Sequence, residues 1–236
     1  MAPANPAAAT NRLLAALPRT DRRRFLAGCE PVELDFAAVL SEPGERIRHV
    51  YFPTVGFLSL VTPIDGGTGL EVGMVGDEGM LGIPLVLGVE ISSLHVVVQG
   101  PGSALRMQAA PFRRELALSP ALQRLLGRYV HVVMGQLAQA TACTRFHDIE
   151  ARLARWLLMT GDRAHSDEFH VTHEFLAYML GVRRVGVTRA ATSLQIRNLI
   201  SYRRGDVMIL DRRGLQAASC GCYEADQTTY SRSMGQ

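Results

Sequence analysis

The stretch that decides the reading runs from 171 to 204, VTHEFLAYMLGVRRVGVTRAATSLQIRNLISYRR. Thr172 is an N-cap candidate for a short helix that would bury Leu176, Met179 and Leu180, and Gly181 supplies the permissive backbone that a tight turn needs. Val187, Ala190 or Ala191, and Leu194 then mark the apolar face of a second helix. Its other face carries Arg184, Val185, Thr188 and Arg189, the arrangement by which a recognition helix presents its first turns to the major groove. A basic hairpin follows around Gly205. Two short helices, a glycine-centred turn and a wing are how a winged helix-turn-helix is written, so double-stranded DNA is the first partner to consider. Arg183, Arg184, Arg189, Arg197, Arg203 and Arg204 fall within this stretch, with no acidic residue among or between them.

The charge distribution points the same way. The chain of 236 residues has a formal net charge of only +3. Residues 1 to 149 hold 13 Arg against 13 Asp plus Glu, which is zero, whereas residues 150 to 214 hold 11 Arg against 7 acids, which is +4. Affinity for a phosphate backbone depends on local charge, so a polyanion suits the second half. Every basic residue is Arg and none is Lys, which reads mostly as compositional bias in an Ala- and Gly-rich chain, although Arg suits bidentate contacts to guanine and phosphate. No stretch has the roughly 20 apolar residues of a membrane span, and MAPANPAAAT lacks the charge and apolarity of a signal peptide; a cytoplasmic chain with no membrane partner is expected. Cys29, Cys143, Cys220 and Cys222 are too sparse for a disulfide framework.

Outward from the helix-turn-helix, the first ten residues read as disordered. Asn11 and Thr20 are N-cap candidates for two short helices, 11 to 17 and 20 to 27, broken by Pro18. From about 31 to 107 come short β-forming runs punctuated by glycine, VELDF, HVYFP, GFLSLVTPI, GLEVGMV, SLHVVVQ and SALRM, with Asp65-Gly66-Gly67 as a turn. Their spacing suggests an antiparallel sandwich or barrel. Ser119-Pro120 opens a long helix in which Leu122, Leu126, Tyr129, Val133 and Ala140 form a seam, able to pack either on a second copy or on the chain's own barrel. Gly127 and Gly135 would let two such helices approach closely. A helix from about 148 to 161, burying Ile149, Leu153, Trp156 and Leu157, leads into the helix-turn-helix. The class is α+β, with an N-terminal antiparallel, jelly-roll-like β-roll, a long helix and a C-terminal winged helix-turn-helix. The expected division is 1–10 disordered, 11–118 β-roll sensor, 119–146 long helix, 147–224 winged helix-turn-helix and 225–236 flexible tail.

That order of parts resembles the Crp/Fnr family of bacterial transcription regulators across nearly the whole chain. The most specific stretches are RLARWLL at 152 to 158, THEFLAYMLGVRRVGVT at 172 to 188, ISYRRGDVMILDRRGL at 200 to 215, and SCGCY at 219 to 223. The resemblance implies a cyclic-nucleotide-binding-like β-roll, a homodimer formed through the long helix and a two-fold symmetric promoter site, with RNA polymerase as a further partner to consider. Aligned on Gly181, the family's two base-contacting arginines fall on Arg184 and Arg189, and the Glu common between them is Val185 here. Arg can pair with guanine O6 and N7, whereas Val offers only apolar contact, for example to a thymine methyl, so the half-site should differ from that of relatives bearing Glu. Arg183 stands where a Ser or Thr cap is usual. Arg203 and Arg204, at the hairpin tip, are expected phosphate contacts that position without specifying.

No effector or cofactor is identified. In relatives that bind cyclic nucleotides a Gly-Glu pair holds the ribose and an Arg holds the phosphate; here Gly82-Ile83-Pro84 and Ser92-Ser93-Leu94 occupy those places. A buried phosphate without its Arg lacks charge-assisted pairing, which argues against cyclic AMP. Asp77 and Glu78 read as turn carboxylates. Cys143 and His147 are four apart, and Cys220 and Cys222 form a lone C-x-C; counted separately, neither pair supplies the three or four ligands of a zinc or iron-sulfur centre, so no metal site is expected and the cysteines read as structural. A lone His49 or His95 in a β-rich domain is more often packing than a haem ligand. His165, His170 and His173 cluster near the DNA-binding part and would tune affinity with pH. No hydrolase, zinc-protease, P-loop or dinucleotide motif is present, so no catalytic residues are expected. The alternative reading is a ligand-sensing or protein-interaction module whose winged helix does not read DNA specifically.

Overall fold

The structure, a computed structural model, describes residues 10–64 and 68–235. Residues 1–9, expected to be disordered, and the Asp65-Gly66-Gly67 turn lie outside the described residues. Two compact units form, one from 1–58 with 75–129 and the other from 59–74 with 130–236. The contacts therefore do not cluster along the expected boundaries at 118 and 146. The division falls inside the long helix, and part of the β-region groups with the winged helix.

In the first unit, Asn11 caps α1 (Arg12–Ala15) by accepting from Leu14 N–H at 3.0 Å, as its sequence position suggests. Its amide Nδ2 donates to the carbonyls of Pro53 and Gly79 at 3.0 and 2.8 Å, so this fully buried polar side chain is satisfied. Helix α2 (Arg19–Ala27) starts one residue before the expected cap: Pro18 is the N-cap and Thr20 lies inside the helix. Strands β1 (Glu30–Leu34), β2 (Val39–Ser41), β3 (His49–Ile64), β4 (Thr68–Val75) and β5 (His95–Gln108) form one sheet in the order β1-β5-β3-β4, with β2 also on β5. Its β1-β5 and β2-β5 pairs are antiparallel. Phe25, Phe52 and Phe112 pack edge to face in the core, with ring centroids 5.3 and 6.3 Å apart.

Six β-runs become fewer, longer strands. HVYFP and GFLSLVTPI are both part of β3, and SLHVVVQ and SALRM meet in β5. The glycines that read as strand ends sit inside strands: Gly56, at φ +76°, lies so close to the Gly100 and Pro101 backbone that any side chain would collide. Strand β2 and helix α3 (Ala109–Leu118), which buries Phe112, were not legible as elements.

Helix α4 (Pro120–Phe146) follows the expected span, and Ser119 Oγ caps it by accepting from Leu122 N–H at 3.1 Å. Its apolar seam divides. Leu122, Leu126 and Tyr129 are buried within the chain, Tyr129 against Gly79, and so cannot meet a second copy. A side chain at Gly135 would meet Thr229. The solvent face is a different one, with Gly127, His131, Met134, Ala138, Thr141 and Arg145 at alternating spacings of four and three.

The second unit is organised on α5 (Ile149–Ala164), whose N-cap Asp148 accepts from Ala151 N–H at 2.8 Å. It buries Leu153, Trp156 and Leu157 and packs against α6 (His173–Leu180), α7 (Arg184–Ile196), α8 (Arg212–Ala218) and α9 (Cys222–Met234). A second sheet has the order β6-β8-β7, from β6 (Glu168–His170), β7 (Ile200–Arg203) and β8 (Asp206–Ile209). Trp156 Nε1 donates to Glu71 of the β3–β4 hairpin at 3.0 Å, and Ser59 Oγ donates to the same carboxyl at 2.6 Å. Burial pushes that carboxyl up to about 7, against the pull of both hydrogen bonds.

Of the expected tail, residues 225 to 234 are instead helical, the greater part of α9. Tyr223, Asp226 and Met234 are buried on it, and Asp226 pairs with Arg155 of α5 at 2.5 Å, both side chains under 15% exposed (13% and 11%). Asp226→Ala leaves a buried guanidinium without its partner, which costs about 3 kcal/mol. Urea unfolding followed through Trp156, the chain's single tryptophan, should show that loss; an unchanged midpoint would mean that the ion pair contributes nothing to this unit's stability.

Candidate nucleic-acid interface

Thr172 Oγ1 accepts from Phe175 N–H at 3.2 Å and starts α6, which buries Leu176, Met179 and Leu180. Gly181 ends it in the left-handed region at φ +62°, where glycine carries no Cβ penalty. Helix α7 begins at Arg184 and buries Val187, Ala190, Ala191 and Leu194. That periodicity turns Arg184, Val185, Thr188 and Arg189 to solvent, Val185 at 57% exposure. Arg183 is the N-cap and makes no side-chain cap bond, so the first N–H groups of α7 are left for other partners, an anion among them.

The wing is a two-residue hairpin. Arg203 pairs in register with Asp206, and the connecting Arg204 and Gly205 have φ of +55° and +93°, the twist that matches the strands on either side. Arg203 and Arg204 are exposed at this tip. Among the described residues no carboxylate forms an ion pair with Arg183, Arg184, Arg189, Arg203 or Arg204. Arg197, on the same stretch, pairs with Glu150 at 2.8 Å and is thereby occupied.

A chain of contacts on this face connects the two helices and the wing. Thr188 Oγ1 donates to the Arg184 carbonyl at 3.1 Å and lies 3.1 Å from His173 Nδ1. The His173 ring stands edge-on to Tyr202, centroids 4.4 Å apart. Tyr202 takes its N–H to Gln195 Oε1 at 2.8 Å and its hydroxyl to the Val171 carbonyl at 2.5 Å. Desolvation and then the Arg184 charge hold His173 below its ordinary value of 6.5, so it is neutral at neutral pH. Of the three histidines singled out in the sequence, His173 alone touches the recognition helix. His170 pairs with Asp206 at 2.8 Å, and His165 ends α5 at φ +49°. Tyr202 escaped the sequence reading because its role depends on a contact across elements.

A model of the Crp-like helix-turn-helix domain matches residues 151–218. Residues 151–218 are a Crp-like helix-turn-helix domain. No curated protein matches the chain significantly. Among solved structures the chain is similar to a crp/fnr-family transcriptional regulator from Eubacterium rectale, at TM-score 0.70 and 15% identity over 87% of this chain and 96% of that one. It is also similar to FixK2 from Bradyrhizobium japonicum, at 0.68 and 12% over 81% and 98%. The c-di-GMP responsive global regulator CLP of Xanthomonas campestris aligns at 0.67 and 18% over 81% and 99%. Over most of its length the chain shares the fold of these structures. No described helix is long and apolar enough to cross a membrane.

Two other groups of residues bear on the ligand and metal expectations. In the stretch where a cyclic-nucleotide cassette would lie, Asp77 pairs with Arg12 at 3.2 Å, and Glu78 accepts from Gly76 N–H at 3.1 Å. Ser92 Oγ exchanges hydrogen bonds with the Leu94 backbone at 3.0 and 3.3 Å. The cysteines require a correction. Cys143 with His147 and Cys220 with Cys222 were counted as separate, insufficient pairs, yet the fold unites them, and their ligand atoms all lie within 4.8 Å of one another.

His173 gives this face a pH dependence. Its proton binds more weakly in the fold than in the unfolded chain, so stability is full above 6.5 and falls as pH drops through the lowered value. Arg184→Gln removes the nearest repelling charge. The His173 midpoint, followed by proton NMR, should then rise toward 6.5; a midpoint that stays put would show that the two side chains do not interact.

Proposed function

We propose that this chain is a sequence-specific transcription regulator that binds a two-fold symmetric DNA site as a homodimer. The observation that carries the reading is the set of unpaired arginines on one recognition helix and its wing. Arg184 and Arg189 lie on the first turns of α7, where groove readers place base contacts, with Thr188 and Val185 between them. Arg183, Arg203 and Arg204 flank them and suit phosphate. Val185 brings a methyl surface where an acid would have accepted from cytosine, so this half-site favours a thymine methyl at the facing position. The absence of an Arg from the stretch 76 to 99 argues that the effector is not a cyclic nucleotide bound in the family manner. Contact with RNA polymerase belongs to the same reading.

Selection from random duplex DNA tests specificity directly, and no enriched motif would favour the interaction-module alternative. Arg184→Ala should cost about 1 to 3 kcal/mol on the selected site and relax one position of it, whereas Arg204→Ala should weaken all sequences alike and lower the salt slope by about one. Equal loss on specific and random DNA by both variants would defeat this division of labour.

The dimer should use the solvent face of α4, because Leu122, Leu126 and Tyr129 are already covered. Gly127, Ala138 and Thr141 are small enough for close approach, and Met134, 65% exposed, is the large apolar residue on that face. Met134→Glu places two carboxylates across the dyad and should convert a dimer into monomers by analytical ultracentrifugation. A dimer that persists would locate the interface elsewhere.

A further inference from the structure

Cys143 is buried near the end of α4, and His147 lies one turn on: its N–H donates to the Cys143 carbonyl at 3.2 Å, so both side chains project from the same side of that last turn. Cys220 follows α8, and Cys222 opens α9. The Cys143 and Cys220 sulfurs are 3.5 Å apart, and Cys222 Sγ is 3.4 Å from His147 Nδ1. All three cysteines are buried together, while His147 faces solvent. Four soft or borderline ligands thus converge from the end of α4 and the α8–α9 turn.

We propose that Cys143, His147, Cys220 and Cys222 form a mononuclear, four-coordinate site for a thiophilic divalent cation of the zinc class. The donor set is one that structural zinc centres use, three thiolates and one imidazole. The spacing fits a single ion. Zinc-sulfur bonds of about 2.3 Å in a tetrahedron put two sulfurs about 3.8 Å apart. Ligands on different irons of a cluster stand farther apart, because an iron-sulfur-iron span separates them. A mutual separation within 4.8 Å therefore favours one ion over a cluster.

The surroundings complement it. Three thiolates, a neutral imidazole and a divalent ion carry a net charge of −1, and the Arg152 and Arg155 guanidinium charges act on Cys143 and Cys220. Arg152, Arg155 and Cys143 line one small cavity. Gln139 Nε2 donates to Cys222 Sγ at 2.9 Å, the kind of outer hydrogen bond that orients a thiolate ligand. The exposed imidazole gives an ion a route in and out, while the sulfurs stay dry. Bound metal ties together residues 77 positions apart in sequence, and closing so long a loop is where a metal clip adds most to stability.

The test uses the full chain, reduced and freed of metal by chelation, then titrated with Co²⁺. One equivalent should bind, with intense visible d–d bands of four-coordinate cobalt and thiolate-to-cobalt charge transfer in the near ultraviolet. Zn²⁺ should bleach both stoichiometrically and raise the thermal midpoint. Cys222→Ser should lose charge-transfer intensity, His147→Ala should retain it while shifting the d–d bands, and Gln139→Ala should weaken affinity about 10- to 100-fold. Cys29→Ser, in the other unit, should change nothing. Should Cys222→Ser fail to fold, His147→Ala at the exposed ligand still decides. A weak octahedral spectrum, binding without a one-to-one endpoint, or bands unaltered in His147→Ala would overturn the site. So would a Cys143–Cys220 disulfide that persists in the reduced protein. None of these readouts involves DNA, so the site stands or falls apart from the regulator reading.

Discussion

Arg152 and Arg155 stand on one helix, α5, in surroundings where an unpaired charge would cost several kcal/mol. Their needs fix what surrounds them. Arg152, 9% exposed, donates to the Leu180 carbonyl, which is one of the orphan acceptors at the end of α6. Arg155 reaches Asp226 on α9, whose carboxyl is raised by desolvation and pulled back by that same guanidinium. One side chain thus sets where the first helix of the reading motif ends, next to Gly181, and the other sets where the C-terminal helix lies. The same helix buries Leu153, Trp156 and Leu157 and packs against α6, α7 and α8. The recognition helix packs on this frame with Val187, Ala190, Ala191 and Leu194 buried.

What could be read from the sequence was local or periodic. The caps at Asn11, Thr172 and Ser119, the turn at Gly181 and the apolar face of α7 each depend on residues within a few positions of one another, and each is where the spacing places it. Strand ends were misplaced for an equally physical reason. Glycine breaks a run on paper, but Gly56 serves the close approach of two backbones inside a strand. The segment from 225 to 234 has little apolar periodicity, and its Asp226 meets a residue 71 positions away. The same blindness hid the convergence of Cys143 and His147 with Cys220 and Cys222. Both pairs were visible, and only the topology of α5 to α9 brings them together.

The long helix shows how periodicity can be right about an element and wrong about its use. Leu122, Leu126 and Tyr129 recur as a coiled-coil seam would, and so does any stripe that faces a core. Burial separates the two, since those three are covered within the chain while Gly127, Met134 and Thr141 are open on another face. Spacing alone carries no information about which of two apolar surfaces a stripe meets.

Charge behaves in the same way. Residues 150 to 214 sum to +4, a modest figure for a DNA-binding segment. The sum conceals a sorting that only the fold reveals. Arg155, Arg197 and Arg212 are matched to Asp226, Glu150 and the pair Asp162 and Asp167, and Arg152 is satisfied by a carbonyl. Three of the segment's seven acids, Glu150, Asp162 and Asp167, are thereby spent on arginines that hold the unit together. Among the described residues Arg183, Arg184, Arg189, Arg203, Arg204 and Arg213 form no ion pair, and all but Arg213 belong to the recognition helix or the wing. A polyanion laid on this face meets a local charge larger than the segment's net value, and it exchanges counterions for contacts that are already in place.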